Sequence, residues 1–403
     1  MRILVVSLRY PPYVAGGYEL SCAEAVHELR ARGHEVHVLC ARGARFDDPT
    51  VHAVLEPDLD AGDPWQRTVD AGNLEKVRRH VFDPLNLRRA RRVVRDWQPD
   101  LVFYFNLALL SVSPLLAAGL EGVPVIGEVN DRWPENHWLA SWPAGAKNNR
   151  RRAIEAAWQR VKGRVRFGTM LVPSASLANE LRAHGFDDVE VLPLPLPIDL
   201  ARAAVDERAG DRHPGEPLRL VCTSMLWDGK GQHVLLDAVG RARARGVEAT
   251  VTLAGTGPDE YREHLEACAR TTALEGAVTF TGLLARDEVG RLLAQSHAFV
   301  LPSLWSEPYG LATLEAMAHR LAPIVTDAGG SSEIVRDGVD GCVVPAGDAE
   351  ALSRAVERLA RDEGLRRRFA ATSLERAGLD FAAGPYYDAL SARLERAVRD
   401  ARR

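Results

Sequence analysis

The stretch SEPYGLATLEAMAH (residues 306–319) carries two carboxylates, Glu307 and Glu315, with seven residues between them and a glycine, Gly310, where a helix begins. A helix start leaves backbone N–H groups without intrahelical partners and favours negative charge. Tyr309, Gly310 and Leu311, read as the first turn, therefore offer donors to an anion. At about 1.5 Å per residue, Glu315 lies roughly 7 Å up the axis from Gly310. A diphosphate at the helix mouth would bring a ribose near Glu315 and a sugar near Glu307, on the other side of the phosphates. The spacing suits a sugar nucleotide lying across the start of the helix.

Two further loops could meet the same phosphates. In TSMLWDGKGQHVLLDA (223–238), Lys230 stands between Gly229 and Gly231. Lys76, Lys147, Lys162 and Lys230 are the only lysines among 51 basic residues. A compact ammonium in a glycine loop is a point charge for a phosphate, unlike the planar fork of arginine. Alone, it reads more readily as an ordinary surface lysine. YPPYVAGGYE (10–19) sets Gly16 and Gly17 between a first strand and a helix, where backbone can approach a phosphate or sugar closely. A tight turn is the competing reading there. Neither this stretch nor AGTGPDE near Gly255 completes a dinucleotide GxGxxG. The Asp58–Leu59–Asp60 triplet lies in a polar loop and is not read as a metal site.

Short apolar runs alternate with helical patterns along the whole chain and supply the elements that position these loops. ILVVS, EVHVLC, DLVFYF, VPVIGEV, TMLVP and VEVLP lead to Pro193. VLPLPLPIDL (191–200), with three prolines, follows as a stiff extended connector. LRLVCTS, EATVTLAG, AVTFTG, AFVLPS and APIVTDA then resume the alternation. The pattern predicts an α/β protein with parallel sheets and crossover helices. At 403 residues the chain is too long for one ordinary core. We read an N-terminal domain over 1–195, a second over 200–380, and a terminal helix over 381–403 packing back on the first.

Composition narrows the class. A hydrophobic content of 46% and a net charge of −4 describe a soluble globular protein and not a general nucleic-acid binder. Five dispersed cysteines without a CxxC read as reduced thiols in a cytoplasmic protein. The apolar run in MRILVVSLRY is too short for a signal sequence, and no segment approaches the roughly 18 apolar residues of a spanning helix. The basic run from Lys147 to Arg166 reads as a solvated helix face, a contact for a phosphate-bearing acceptor, or a peripheral contact with an anionic membrane.

Taken together, EPYGLATLEAMA, APIVTDAGGSSEIV and DGVDGCVV resemble the nucleotide-sugar half of retaining GT-B glycosyltransferases, specifically glycosyltransferase family four. GKGQHVLLDA, LAGTGP and FTGLL occur in the family's order, and PPYVAGG and LRARGHEVHVL are similar to its N-terminal half. The resemblance implies two Rossmann-like parallel-sheet domains facing each other across a cleft. It makes Glu307 and Lys230 the catalytic residues, Glu307 holding donor-sugar hydroxyls and Lys230 neutralising the diphosphate. Amides around Tyr309, Gly310 and Leu311 would assist, Glu315 would hold the ribose, Leu283 would lie beside the base, and Gly16 and Gly17 would close on the diphosphate or the acceptor. Neither a metal nor another cofactor is implied, since lysine and amides carry the phosphate charge.

The acceptor half departs from the family pattern. The family often has arginine where Met225 stands, and histidine where Asn130 stands in EVND (128–131). Asn130 can hydrogen-bond a hydroxyl but cannot act as a base. In the adjoining RWPENHWLASW (132–142), His137 and Trp133 are acceptor-binding candidates, with ordinary packing the alternative for the tryptophans. The expected reaction is transfer of a sugar from a nucleotide-diphosphate sugar to a small-molecule acceptor with retention. A glycolipid or cell-envelope acceptor stays open, as does a non-catalytic sugar-nucleotide-binding partner subunit, to which Met225 and Asn130 point. A GT-B epimerase or phosphorylase matches the glutamate spacing less well.

Overall fold

The computed structural model describes residues 1–14, 16–43, 45–62, 64, 67, 72–136, 158–197, 212, 213 and 215–403. These divide into two units: Met1–Pro173, Ala178–Leu192 and Gly384–Arg403 form the first, Ser174–Leu177 and Pro193–Ala383 the second.

The first unit holds seven strands: β1 (Arg2–Val6), β2 (Glu35–Arg42), β3 (Val51–Asp58), β4 (Leu101–Tyr104), β5 (Val125–Glu128), β6 (Thr169–Val172) and β7 (Val189–Val191). They pair in parallel in the order β3-β2-β1-β4-β5-β6-β7. Ile3, for instance, sits opposite Val36 on one side and Leu101 on the other. Ile3 to Val6 are at most 1% exposed, as a central strand covered on both faces requires. The helix Ala383–Ala401 starts at the edge of the second unit but lies almost wholly in the first. There Tyr386 donates its hydroxyl to Glu128 at 2.7 Å, and Arg393 pairs with Glu190 at 3.1 Å.

The second unit repeats the architecture with six parallel strands: β8 (Leu218–Thr223), β9 (Ala249–Ala254), β10 (Val278–Gly282), β11 (Ala298–Leu301), β12 (Ala322–Thr326) and β13 (Cys342–Val344). Their order is β10-β9-β8-β11-β12-β13. Leu220, Leu235, Leu236, Val251, Ile324 and Phe369 lie in its core. The proline-rich connector is anchored to this unit, for Leu194 and Leu196 are buried and Leu196 N–H donates to Phe381 O at 2.8 Å. All five cysteines are free thiols, and no helix among the described residues is long and apolar enough to cross a membrane.

In each sheet the strand order reverses once, between β1 and β4 and between β8 and β11. Open parallel sheets bind ligands beyond the carboxyl ends of the strands at such a reversal, because the crossovers on either side part there and leave a crevice. The segment bearing Lys230 follows β8, and the one bearing Glu307 follows β11.

Candidate active site

The loops after β8 and β11 are stitched together. Gly229 O accepts from the amides of Leu304 (2.8 Å) and Trp305 (3.1 Å). Gly231, at φ +67°, passes so near the chain that a Cβ would lie 2.1 Å from Pro302 O. The buried Gln232 amide holds the other end of the first loop, donating to Ser224 Oγ and Met225 O at 2.9 Å each. Lys230 closes the short 3-10 turn Asp228–Lys230, and its Nζ reaches Glu307 Oε1 at 2.5 Å. The two side chains are 15% and 5% exposed, and the ammonium also lies 5.2 Å from the Trp305 ring centre.

Glu307 is fixed from three further directions. Ser303, itself buried, donates Oγ–H to Glu307 Oε1 at 2.5 Å, and Ser303 O in turn accepts from Thr326 Oγ1 at 2.7 Å. Glu307 N–H donates to Ala328 O at 3.1 Å, and Glu307 O accepts from Gly330 N–H at 2.7 Å. Gly329, at φ +81°, lies so close that an added Cβ would stand 2.4 Å from Glu307 O. The AGGSS loop after β12 is thus the mould for Glu307.

Tyr309 and Gly310, read as part of the first turn, precede the helix. It spans Leu311–Ala318, with Gly310 as a left-handed cap at φ +104° and no side-chain capping bond. A side chain has no room at Gly310: a Cβ there would meet Ser331 Oγ at 2.7 Å, and this oxygen donates to Tyr309 O at 3.2 Å. The first turn of the helix contains no acidic residue, which keeps its amides electropositive. Glu315 is half-buried farther along the same helix. The Tyr309 side chain is buried, and its hydroxyl donates to Leu194 O at 3.1 Å. Burial raises that phenol well above its ordinary range. Leu283, after β10, is 81% exposed, and Met225 is exposed too.

The first unit places Gly16 at the cap of the helix Gly17–Ala31, with its N–H on Glu19 at 2.9 Å. A Cβ on Gly16 would touch nothing within 4 Å among the described residues, so their packing does not require glycine there. Gly17 is exposed as the first residue of that helix. Asn130 follows β5 and belongs to a buried polar cluster. Its Nδ2 donates to Glu128 Oε1 at 2.8 Å, and its backbone N–H to the Tyr18 hydroxyl at 2.5 Å. Its Oδ1 is buried and has no partner among the described residues. Ser21 and Tyr386 also donate to Glu128, and burial pushes this carboxyl upward against the pull of the hydrogen bonds. Burial raises the neighbouring Asp131 to about 6.

Trp133 is buried edge-on against Tyr104, with ring centres 6.2 Å apart, which is core packing. His137, Trp138, Trp142 and residues 147–157 of the basic run lie outside the described residues. Asp58 and Asp60 build a turn, Asp58 accepting from Asp60 N–H at 3.0 Å and Asp60 from the Tyr13 hydroxyl at 2.6 Å. Among the described residues no three His, Cys, Asp or Glu side chains converge as a metal cage. Ser303, Glu128 and Asp131 are polar groups that motif reading does not single out. Only an inward-facing serine four residues before Glu307 hints at the first.

The chain matches two family descriptions, "Glycosyltransferase Family 4" over residues 15–202 and "Glycosyl transferases group 1" over residues 217–362. It is 29% identical to the glycogen synthase of Mycobacterium tuberculosis over 94% of this chain and 91% of that one. It is 24% identical to the phosphatidyl-myo-inositol mannosyltransferase of Mycolicibacterium smegmatis over 90% and 86%. Among solved structures, sucrose-phosphate synthase from Thermosynechococcus elongatus superposes with a TM-score of 0.72 at 18% identity, covering 99% of both chains. Anabaena HepE in complex with UDP and glucose gives 0.69 at 19% identity, covering 98% of this chain and 99% of that one. The fold is GT-B, built of two Rossmann-like parallel-sheet domains. The chain thus carries a glycosyltransferase family four domain followed by a glycosyl transferases group 1 domain, and is a glycosyltransferase.

Proposed function

We propose that this enzyme transfers a sugar from a nucleoside-diphosphate sugar to a small-molecule acceptor with retention of anomeric configuration. The observation that carries the reading is the meeting of Lys230, Glu307 and the uncapped helix start at Gly310, beyond β8 and β11 where the strand order reverses. Lys230 and the amides of Gly310 and Leu311 take the diphosphate, Glu307 takes hydroxyls of the donor sugar, and Glu315 takes those of the ribose. Leu283 lies beside the base, and Gly16 and Gly17 give backbone access on the first unit. The departing phosphate oxygen accepts the acceptor's proton on the face it leaves, so the protein's contribution is positioning and charge stabilisation. No metal ion is assigned a part, because Lys230 and the amides supply the positive charge. Asn130 Oδ1 is the acceptor-side group, an oxygen ready for a hydroxyl or amine hydrogen.

Thermal shifts with UDP-, GDP-, dTDP- and ADP-sugars test the donor assignment, and no shift with any of them would refute it. NMR of the product's anomeric proton tests retention, which an inverted product would overturn. A second reading, a phosphoinositide or polysaccharide acceptor, draws on the mannosyltransferase and glycogen synthase among the relatives. Transfer to phosphatidylinositol vesicles or glycogen, with none to soluble alcohols, would favour it.

A further inference from the structure

Lys230 and Glu307 have separate duties on the donor in the reading above, yet here they neutralise each other at 2.5 Å. A buried carboxylate that loses its cation is strongly disfavoured unless something else satisfies it. Ser303 is placed to do so. Its Oγ–H lies 2.5 Å from the same oxygen, Oε1, that takes the ammonium, while the serine's own carbonyl is fixed by Thr326. The backbone of the lysine loop is held independently, through Gly229 O. The ammonium can therefore change partners without either loop moving.

We propose that Lys230 is the exchangeable partner of Glu307 and Ser303 its permanent one. The ion pair is a placeholder that the donor displaces. On donor binding the diphosphate takes the ammonium, sugar hydroxyls replace it on the carboxylate, and Ser303 keeps Glu307 oriented throughout. Ser303 is thus a positioning residue. The exchange has a consequence for turnover. A nucleoside diphosphate without its sugar must break the ion pair and returns nothing to Glu307, so the site favours the intact donor over the spent product. This inference rests on the donor assignment proposed above.

Calorimetry with UDP, GDP, ADP and dTDP on the full chain tests it. In Glu307→Gln the ammonium is no longer held by a charge, and the nucleoside diphosphate that binds the wild type should bind about tenfold tighter. Turnover of the intact donor should fall about 100-fold. Weaker or unchanged diphosphate binding by Glu307→Gln overturns the exchange. Ser303→Ala should lower kcat/KM for the donor about tenfold and leave diphosphate affinity within about twofold, with Ser303→Cys, a weaker donor of similar size, falling between. Equal losses for donor and diphosphate would make Ser303 merely structural and overturn its role. If the wild type binds none of the four diphosphates, the donor assignment itself fails, which is a different result from binding that Glu307→Gln does not tighten.

Discussion

Gly329→Ala separates two reasons for a glycine in the AGGSS loop. The first is conformational. At φ +81° an alanine is strained, by roughly 1–2 kcal/mol. The second is contact, because the new Cβ would lie 2.4 Å from Glu307 O and 2.5 Å from Glu307 N. Backbone cannot rotate away, so the Glu307 segment must retreat by about 1 Å to restore ordinary van der Waals distance. A misplacement of that size in a positioned group lowers catalysis on the order of 100-fold, equivalent to about 2.7 kcal/mol in the transition state. Gly338 is the matched control, for it has φ +73° and a Cβ added there would meet no atom within 4 Å. Gly338→Ala should therefore show the conformational cost alone in urea unfolding, with donor kcat/KM unchanged. Gly329→Ala should cost roughly 2 kcal/mol more stability and lose most of its kcat/KM. Equal stability losses and equal kcat/KM in the two variants would refute the claim that this loop moulds Glu307.

Tyr309→Phe removes a buried donor from Leu194 O and should destabilise by about 1–3 kcal/mol in urea, with kcat/KM per folded molecule within about twofold of wild type. A tenfold loss of kcat/KM would instead put the phenol itself in the donor site. Asp131 has its pKa raised from 3.8 to about 6 by burial, opposed by the Trp133 N–H bond. Below the unfolded value both states are protonated. Between the two values only the folded state keeps the proton, so stability declines as pH rises from about 4 to about 6, by about 3 kcal/mol in all. Asp131→Asn should flatten that slope, leaving the part that the raised Glu128 carboxyl contributes, and be the more stable form at pH 7; parallel wild-type and variant curves from pH 4 to 7 would show that the Asp131 carboxyl titrates normally.

The features legible in the sequence are those held within one strand-loop-helix unit. The apolar runs of β1 and β11 read as central strands because both faces are covered, so every residue from Ile3 to Val6 and from Ala298 to Leu301 is apolar. The Glu307–Glu315 spacing reads as one site because a helix start fixes the geometry between them. Even there Tyr309 and Gly310 precede the helix instead of opening its first turn, and the lack of room for a side chain at 310 comes from Ser331, which arrives from another loop. Tyr309 offers no signal for the direction of its side chain, because its partner, Leu194, belongs to the distant connector.

The polar pairings are not legible, for a physical reason. Lys230 and Glu307 are 77 residues apart, and Glu128 and Tyr386 are 258 apart. Spacing along the chain carries no trace of contacts made by the order of strands in a sheet. Sheet topology brings the loops after β8 and β11 side by side, and only then does a lysine in one become the counter-ion of a glutamate in the other. The same holds for Asn130. Its amide orientation is not a property of the EVND stretch alone, because Glu128, as a carboxylate acceptor that also takes the Ser21 and Tyr386 hydroxyls, demands the NH₂ group and leaves Oδ1 buried with no partner among the described residues. An asparagine that reads in the sequence as a lost histidine is therefore an amide whose orientation is set by Glu128.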